Sequence, residues 1–200
     1  GLTKRFGATQ ALESVDLDLQ AGEVHALVGE NGAGKSTLMK LLSGALSPDA
    51  GEMRLDGEPY APRDPCQGRR AGVAMIYQEL SLAPHLSVAE NLFLGAERGR
   101  GGLLDLKAQR REAREVLKRL GLEDLDPDAP TGRLSPALQQ MVEMGRALAT
   151  GCRVLVLDEP TSSLGEGEVR TLFALIRELA GQGVAVAYIS HFLEEVRQIG

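Results

Sequence analysis

Residues 29–37 read Gly-Glu-Asn-Gly-Ala-Gly-Lys-Ser-Thr, and they directly follow an apolar run at residues 24–28. Their spacing fits G-x-x-x-x-G-K-[ST], a pattern in which backbone N–H groups wrap around a phosphate group. Apolar residues at helical spacing come next, since residues 38–42 read Leu-Met-Lys-Leu-Leu. The segment therefore predicts a strand, a phosphate-binding loop and a helix.

Each residue type in this loop has a chemical use. The Lys35 ammonium reaches the β and γ phosphates of a nucleotide, and the Ser36 hydroxyl is a ligand for Mg²⁺. The helix that opens at Lys35 points its partial positive end at the same anion. A glycine turn with an exposed lysine is the alternative, and the flanking strand and helix argue against it. The candidate nucleotide-binding residues are Gly29, Glu30, Asn31, Gly32, Ala33, Gly34, Lys35, Ser36 and Thr37.

Length and charge limit the organisation of the chain. Its 200 residues are enough for one domain with a substantial core. The net charge of -6 argues against a nucleic-acid partner. Cys66 and Cys152 match no metal-binding spacing, so we expect two free thiols. The strand-like pattern is already under way at the first residues, and the helical pattern of the last residues has no capping residue after it. We therefore expect a single domain over 1–200 that is cut at both ends.

The apolar pattern predicts an α/β fold. Amphipathic helices that close near Gly44 and Gly181 alternate with strand-like runs, which indicates a mostly parallel sheet with a ligand beyond the strand ends. Residues 87–150 differ, because they predict helices without intervening strands. We therefore expect a sheet lobe at about 1–86 and 151–200, with a helical subdomain inserted at about 87–150. The predicted strands are residues 15–19, 24–28, 52–55, 73–77, 154–157 and 184–189.

A second motif places two carboxylates at the end of a buried strand. Residues 153–160 read Arg-Val-Leu-Val-Leu-Asp-Glu-Pro. Asp158 falls where a Mg²⁺ bound to the phosphates would lie, and Glu159 is placed to polarise the water that attacks the γ-phosphorus. A polar strand end with exposed acids is the alternative. The phosphate loop upstream favours the functional interpretation.

Five motifs in order resemble the nucleotide-binding domain of an ABC transporter, over nearly the whole chain. They are residues 29–37, Gln78 in I-Y-Q-E-L, residues 134–140 as L-S-P-A-L-Q-Q, residues 154–161, and His191 in Y-I-S-H. More narrowly, the chain resembles the first of two cassettes in bacterial monosaccharide importers of the ribose, galactose and xylose type. The resemblance implies a P-loop ABC ATPase fold with an inserted helical subdomain.

The resemblance also implies roles for single residues. Phe6 matches the aromatic residue that stacks on adenine; a core phenylalanine is the alternative. Gln78 matches the glutamine that reaches the Mg²⁺ and the attacking water, and a surface amide is its alternative. His191 matches the histidine that binds the γ-phosphate and steadies Glu159, against the alternative of a satisfied core histidine.

One motif departs from the family pattern. In the family, a Leu-Ser-Gly-Gly-Gln signature completes the nucleotide site of the partner cassette. The corresponding residues are Leu134, Ser135, Pro136, Ala137 and Leu138. We expect the Ala137 methyl to crowd the approach to the γ-phosphate and Leu138 to remove a hydrogen-bonding group. The sequence thus predicts a weakened partner site, while the chain's own site stays intact.

The implied function is hydrolysis of ATP, with Mg²⁺, to drive sugar import. The expected partners are a transmembrane permease, a second ABC cassette and, indirectly, a periplasmic sugar-binding protein. The chain is then expected on the cytoplasmic face of the membrane, with no nucleic acid bound. Two alternatives stay open: a soluble ABC ATPase that acts on ribosomes or nucleic acid, and a regulatory cassette with little hydrolysis.

Overall fold

The strands and helices alternate along the chain as an α/β fold. The computed structural model describes residues 1–30, 32–77, 80–97, 99–100 and 103–199. The strands are β1 Leu2–Phe6, β2 Thr9–Val15, β3 Val24–Val28, β4 Arg54–Leu55, β5 Glu58–Pro59, β6 Val73–Ile76, β7 Gly99–Arg100, β8 Leu103–Leu104, β9 Val154–Asp158 and β10 Ala185–Ser190. The helices are α1 Lys35–Leu42, α2 Pro65–Arg70, α3 Val88–Leu92, α4 Leu106–Arg119, α5 Pro136–Ala149, α6 Glu166–Gly181 and α7 Leu193–Ile199, with a 3₁₀ turn at Thr131–Arg133.

The central sheet is parallel and has the order β3-β10-β9-β6. Val28 of β3 pairs with Ser190 of β10, and Asp158 of β9 pairs with Ile189. The carboxyl ends of these three strands are therefore level. The loops that follow them emerge side by side at one edge of the sheet, where α/β folds bind their ligands.

Both faces of the sheet are buried, which explains the continuous apolar runs. Leu155 and Leu157 of β9 point to the face covered by α3, α4, α5 and α6, whereas Val156 points to the face covered by α1 and by the β1-β2 hairpin. Successive strand side chains alternate between faces. Asp158 therefore lies on the same side of β9 as Val156, toward α1.

A polar cluster joins the helices to the chain segment that follows β6. The Asn91 side chain is fully buried, and its amide donates to the carbonyl oxygens of Ala83, Leu86 and Ser87. Its Oδ1 accepts a hydrogen bond from the Ala83 N–H at 2.8 Å and another from Arg146 at 3.2 Å. One buried amide thus holds residues 83–87 against α3 and α5.

The division into a sheet lobe and a helical subdomain stays a prediction, because the buried cluster that contains α3, α4 and α5 also includes residues of β6, β9 and α6.

The structure corrects several predicted boundaries. The run at residues 15–19 is not a strand; the strand is Thr9–Val15, and Leu17 and Leu19 pack against the core without ladder pairing. Only Arg54–Leu55 of the run at 52–55 forms a strand. The short β7-β8 pair interrupts the region that we expected to be wholly helical. Helix α6 includes Gly181 as its last residue and has Gln182 as its C-cap, and Gly183, with a positive φ of 93°, then turns the chain.

The two cysteines are free thiols, as expected. Cys66 is exposed, whereas burial raises the pKa of the Cys152 thiol to about 11. Within the described ranges, none of the helices has the length and apolar character that a membrane span requires.

Candidate nucleotide-binding and catalytic site

The loop between β3 and α1 adopts a conformation that depends on its glycines. Gly32 and Gly34 have φ angles of 85° and 87°, which side chains on L-residues strongly disfavour. Gly34 is also the N-cap of α1, and a Cβ placed on it would lie 2.5 Å from the Ala11 carbonyl oxygen. Strand β2 therefore presses directly on the loop, and only glycine fits at position 34. Asn31 lies outside the described residues.

Alanine substitutions are expected to separate the effect of the positive φ angle from the effect of the close contact with Ala11. Gly32→Ala adds only conformational strain, about 1 kcal/mol, because nothing lies within 4 Å of its Cβ. Gly34→Ala adds the same strain and forces the loop away from Ala11. We expect Gly34→Ala to weaken MgATP binding about 10-fold more than Gly32→Ala does, as measured by calorimetry on the full-length polypeptide. Equal affinities in the two variants would contradict the close approach of β2.

The Lys35 side chain folds back over the loop. Its ammonium donates hydrogen bonds to the carbonyl oxygens of Gly29 and of Glu30, the latter at 2.9 Å. Three donors on one ammonium allow these carbonyls to be exchanged for phosphate oxygens without a change of backbone path. The loop thus holds a cation at the amino end of α1, where the partial positive charge of the helix adds to it.

Asp158 and Glu159 lie where β9 ends. Burial raises the pKa of Asp158, and the neighbouring charge of Glu159 raises it further, while Lys35 and Lys40 of α1 act in the opposite direction. Glu159 has a φ of 47°, a left-handed conformation that costs about 1–2 kcal/mol in a residue with a side chain. Its N–H donates to the Ile189 carbonyl oxygen at 3.1 Å, which holds this turn in place.

The loop and the carboxylates share one cavity of about 290 Å³. Its lining residues are Ala11, Gly32, Ala33, Gly34, Lys35, Ser36, Thr37, Asp158 and Glu159. The two sequence motifs, more than a hundred residues apart, are therefore brought together as predicted. Ala11 was missed because a small residue in a hairpin gives no chemical signal. A larger cavity of about 510 Å³ lies at the opposite edge, beside the first residues of β6, β9 and β10, and the phosphate loop does not reach it.

His191 lies directly after β10 and contacts the second carboxylate. Its Nδ1 is 3.1 Å from Oε1 of Glu159, and the Phe192 ring lies against the imidazole with centroids 3.8 Å apart. The imidazole is 43% exposed and the Glu159 side chain 23%. A partly exposed carboxylate and imidazole in hydrogen-bonding contact form a pair able to orient a water molecule and take up its proton.

Phe6 is not among the residues that line this cavity. Phe6 ends β1 and is 47% exposed, with the Lys4 ammonium 5.8 Å from its ring centroid. It belongs to the hairpin that presses on Gly34, so its predicted stacking role stays open. Gln78 lies outside the described residues, and its predicted role stays a prediction.

The signature segment forms the start of α5, as predicted. Ser135 is the N-cap, with its Oγ accepting from the Leu138 N–H at 3.4 Å, and Pro136 is the first helical residue. Ala137 is only 7% exposed, so its methyl group packs inside the chain. The predicted crowding of an approaching phosphate by this methyl stays a prediction. Leu134 and Leu138 pack against the larger core cluster, which leaves Ser135 and Pro136 as the exposed residues of this end.

These elements define the class of protein. A phosphate loop between a strand and a helix, level with two carboxylates at the carboxyl edge of a parallel sheet, is the site of a P-loop nucleotide-binding protein. The family model described as ABC transporter matches residues 12–162. The chain belongs to the ABC transporter family, and that membership implies that it binds a nucleotide.

Relatives named for ribose import are similar over the whole chain. A ribose import ATP-binding protein of Rubrobacter xylanophilus is 53% identical over 199 residues, which is 100% of this chain and 40% of the relative. Another, from Chromobacterium violaceum, is 52% identical with the same coverage. The chain thus spans about 40% of the length of these curated relatives.

Solved structures confirm the predicted fold. An ATP-binding cassette of an ABC transporter, in its ADP conformation, superposes with a TM-score of 0.84 and 28% identity, covering 99% of this chain and 82% of that one. The protein cbiO1 from Clostridium perfringens, part of the ABC transporter complex cbiONQ, superposes with a TM-score of 0.84 and 29% identity, covering 99% of this chain and 79% of that one.

Proposed function

We propose that this chain is the ATP-binding and ATP-hydrolysing cassette that energises sugar import through a membrane permease. The convergence of Lys35, Asp158 and Glu159 on one cavity carries the proposal. The identity of 53% to a relative named for ribose import supports the choice of a sugar as the cargo. A soluble ABC ATPase acting on ribosomes or nucleic acid is disfavoured by those relatives and by the net charge of -6.

The residues in the cavity fit a magnesium ion. The Ser36 hydroxyl and the Asp158 carboxylate would hold it, since oxygen ligands are those that Mg²⁺ prefers. The raised pKa of Asp158 reflects burial and a second carboxylate beside it, so negative charge is concentrated where a divalent cation would offset it. A bound Mg²⁺ would also offset charge on the triphosphate oxygens.

Other groups of the chain bind the phosphates, orient the attacking water and take up its proton. Lys35 exchanges its carbonyl partners for phosphate oxygens, and the amide groups of the loop wrap the β-phosphate. Glu159 orients the attacking water and takes up its proton, while His191 holds the Glu159 carboxylate through the contact of 3.1 Å. Gln78, two positions after β6 in the sequence, is proposed to reach the attacking water and the Mg²⁺.

We further propose the partners and the location that this activity needs. The cassette works with permease subunits, a second cassette and a periplasmic sugar-binding protein, at the cytoplasmic face of the membrane. Ser135 at the start of α5 faces the nucleotide of the second cassette, with the positive end of that helix behind it. The buried position of Ala137 argues against the alternative of a regulatory cassette with little hydrolysis.

Replacing Lys35 by alanine tests the nucleotide site. We expect MgATP affinity to fall about 10- to 100-fold in the full-length polypeptide assembled with its permease, because a charge-assisted contact to phosphate is lost. Lys107→Ala, in the exposed first turn of α4, is the control and should bind MgATP normally. The proposal is wrong if the unmodified protein takes up no MgATP. Hydrolysis stimulated by ribosomes or DNA, and not by sugar-loaded binding protein, would favour the soluble alternative.

A further inference from the structure

Glu195, one helical turn beyond His191, collects hydrogen bonds from three hydroxyl groups. Its Oε1 accepts from Thr161 Oγ1 at 2.6 Å, and its Oε2 accepts from the Tyr188 hydroxyl at 2.8 Å and from Ser190 Oγ at 2.5 Å. Both carboxylate oxygens are thus occupied by groups from outside α7. Hydrogen bonds to an ionised acceptor are shorter and stronger than neutral ones.

Two of these donors lie close in sequence to the catalytic pair. Thr161 is two residues beyond Glu159, and Ser190 directly precedes His191. The Ser190 Oγ also accepts from the Phe192 N–H at 2.9 Å, so the residues on both sides of His191 depend on the same hydroxyl. A single carboxylate therefore connects the chain after Glu159 to the chain around His191.

The three donor residues of this connection are buried, whereas Glu195 itself is partly exposed. Thr161, Tyr188 and Ser190 are 8%, 0% and 1% exposed. Burial and the Glu195 hydrogen bond raise the pKa of Tyr188, so it stays a neutral donor. Without an acceptor at position 195, these buried hydroxyls would have to find new partners, and each turn would relax separately.

We infer that Glu195 is a positioning residue, which sets the distance between Glu159 and His191 through Thr161 and Ser190. The inference rests on the proposed hydrolysis of ATP. It assigns Glu195 no contact with the nucleotide. Its removal is expected to impair the chemical step and to leave binding in place, since the phosphate loop does not depend on it.

The test compares variants of the full-length polypeptide, assembled with its permease, in steady-state ATP hydrolysis. Glu195→Ala is expected to lower kcat about 10- to 100-fold, because a small misplacement of reacting groups is that costly, with KM for ATP changed less than about 2-fold. Glu195→Gln should keep most of the activity. Its amide oxygen still accepts from Tyr188 and Ser190, and its amide nitrogen donates to the Thr161 hydroxyl, which is also an acceptor.

Two further variants make the result decisive. Glu194→Ala, an exposed neighbour on α7, is the matched control and should leave kcat unchanged. Thr161→Val removes one of the three bonds with little change of shape, so it carries the test if Glu195→Ala does not fold, and we expect a loss of about 3- to 10-fold in kcat. Unchanged kcat in Glu195→Ala or in Thr161→Val, or an equal loss in Glu195→Ala and Glu195→Gln, would overturn the inference. Absence of hydrolysis by the unmodified protein would instead reject the proposed function.

Discussion

Replacing Glu159 by glutamine is expected to leave MgATP bound to the full-length polypeptide, assembled with its proposed permease, and to lower the turnover of ATP by about 10²–10⁴-fold. The amide has nearly the shape of the carboxylate, so the contact of 3.1 Å with His191 and the left-handed turn at position 159 are both retained. What is lost is the basic oxygen that takes up the proton of the attacking water. The measurement is single-turnover hydrolysis together with calorimetric MgATP binding.

The control for this variant is Glu166→Gln, which changes an exposed carboxylate in the first turn of α6 and is expected to leave turnover unaffected. Hydrolysis at the normal rate in Glu159→Gln would reject Glu159 as the base. Loss of MgATP binding would show instead that the carboxylate belongs to the binding site. The two outcomes are distinguished because binding and chemistry are measured on the same sample.

The parts of the site that the sequence predicts are those with a local physical cause. Val73–Ile76 and Val154–Asp158 are within one residue of their predicted bounds, because strands buried on both faces must be apolar throughout. The phosphate loop is predictable because positive φ angles at Gly32 and Gly34 demand glycine. Because β3, β10 and β9 pair in parallel, their carboxyl ends lie at the same edge of the sheet, and this brings the phosphate loop close to the two carboxylates.

The unpredicted parts depend on contacts between distant residues. The left-handed turn at Glu159 is held by a hydrogen bond to Ile189, which lies 30 residues further along the chain. The sequence has no glycine at this position that would indicate a positive φ angle. The inward methyl of Ala137 depends on how α5 packs, which residue type alone does not reveal. In the sequence, Glu195 is one of several acidic residues on an amphipathic helix. Its role depends on three hydroxyl groups that lie in β10 and in the segment after β9, and only the fold brings these groups to it.

The buried amide of Asn91 leads to the second large expected effect. It is fully buried and bonds to both backbone groups of Ala83, to Leu86 and Ser87, to Thr131 Oγ1 at 3.1 Å and to Arg146. Alanine at position 91 removes the acceptor of the Ala83 N–H and of Arg146 Nη2, whereas the three carbonyl oxygens keep hydrogen bonds from Thr131 or from the backbone N–H of residue 91. Each buried group that loses its hydrogen bond costs about 1–3 kcal/mol, part of which water recovers at the partly exposed positions.

We expect Asn91→Ala to lower the free energy of local opening by about 3 kcal/mol, which corresponds to roughly 100-fold faster exchange of amide hydrogens. The Ala83 amide is the most direct reporter, because its hydrogen bond to Asn91 Oδ1 is the one removed. The measurement is hydrogen exchange by mass spectrometry on the full-length polypeptide, with a peptide covering residues 81–92 compared with one covering residues 154–158.

Gln139→Ala supplies a matched control, because this side-chain amide makes a single hydrogen bond, to the Leu134 carbonyl oxygen, among the described residues. Its loss should cost about 1 kcal/mol and leave residues 81–92 protected. Exchange at residues 81–92 that is no faster in Asn91→Ala would show that the amide is not what holds this segment. Faster exchange throughout β9 as well would mean that the segment opens only with the sheet. Local opening alone would show that the Asn91 amide is needed to hold residues 83–87 against α3 and α5, in addition to the hydrogen bonds that Ser81 makes with Glu143 and Arg146 of α5.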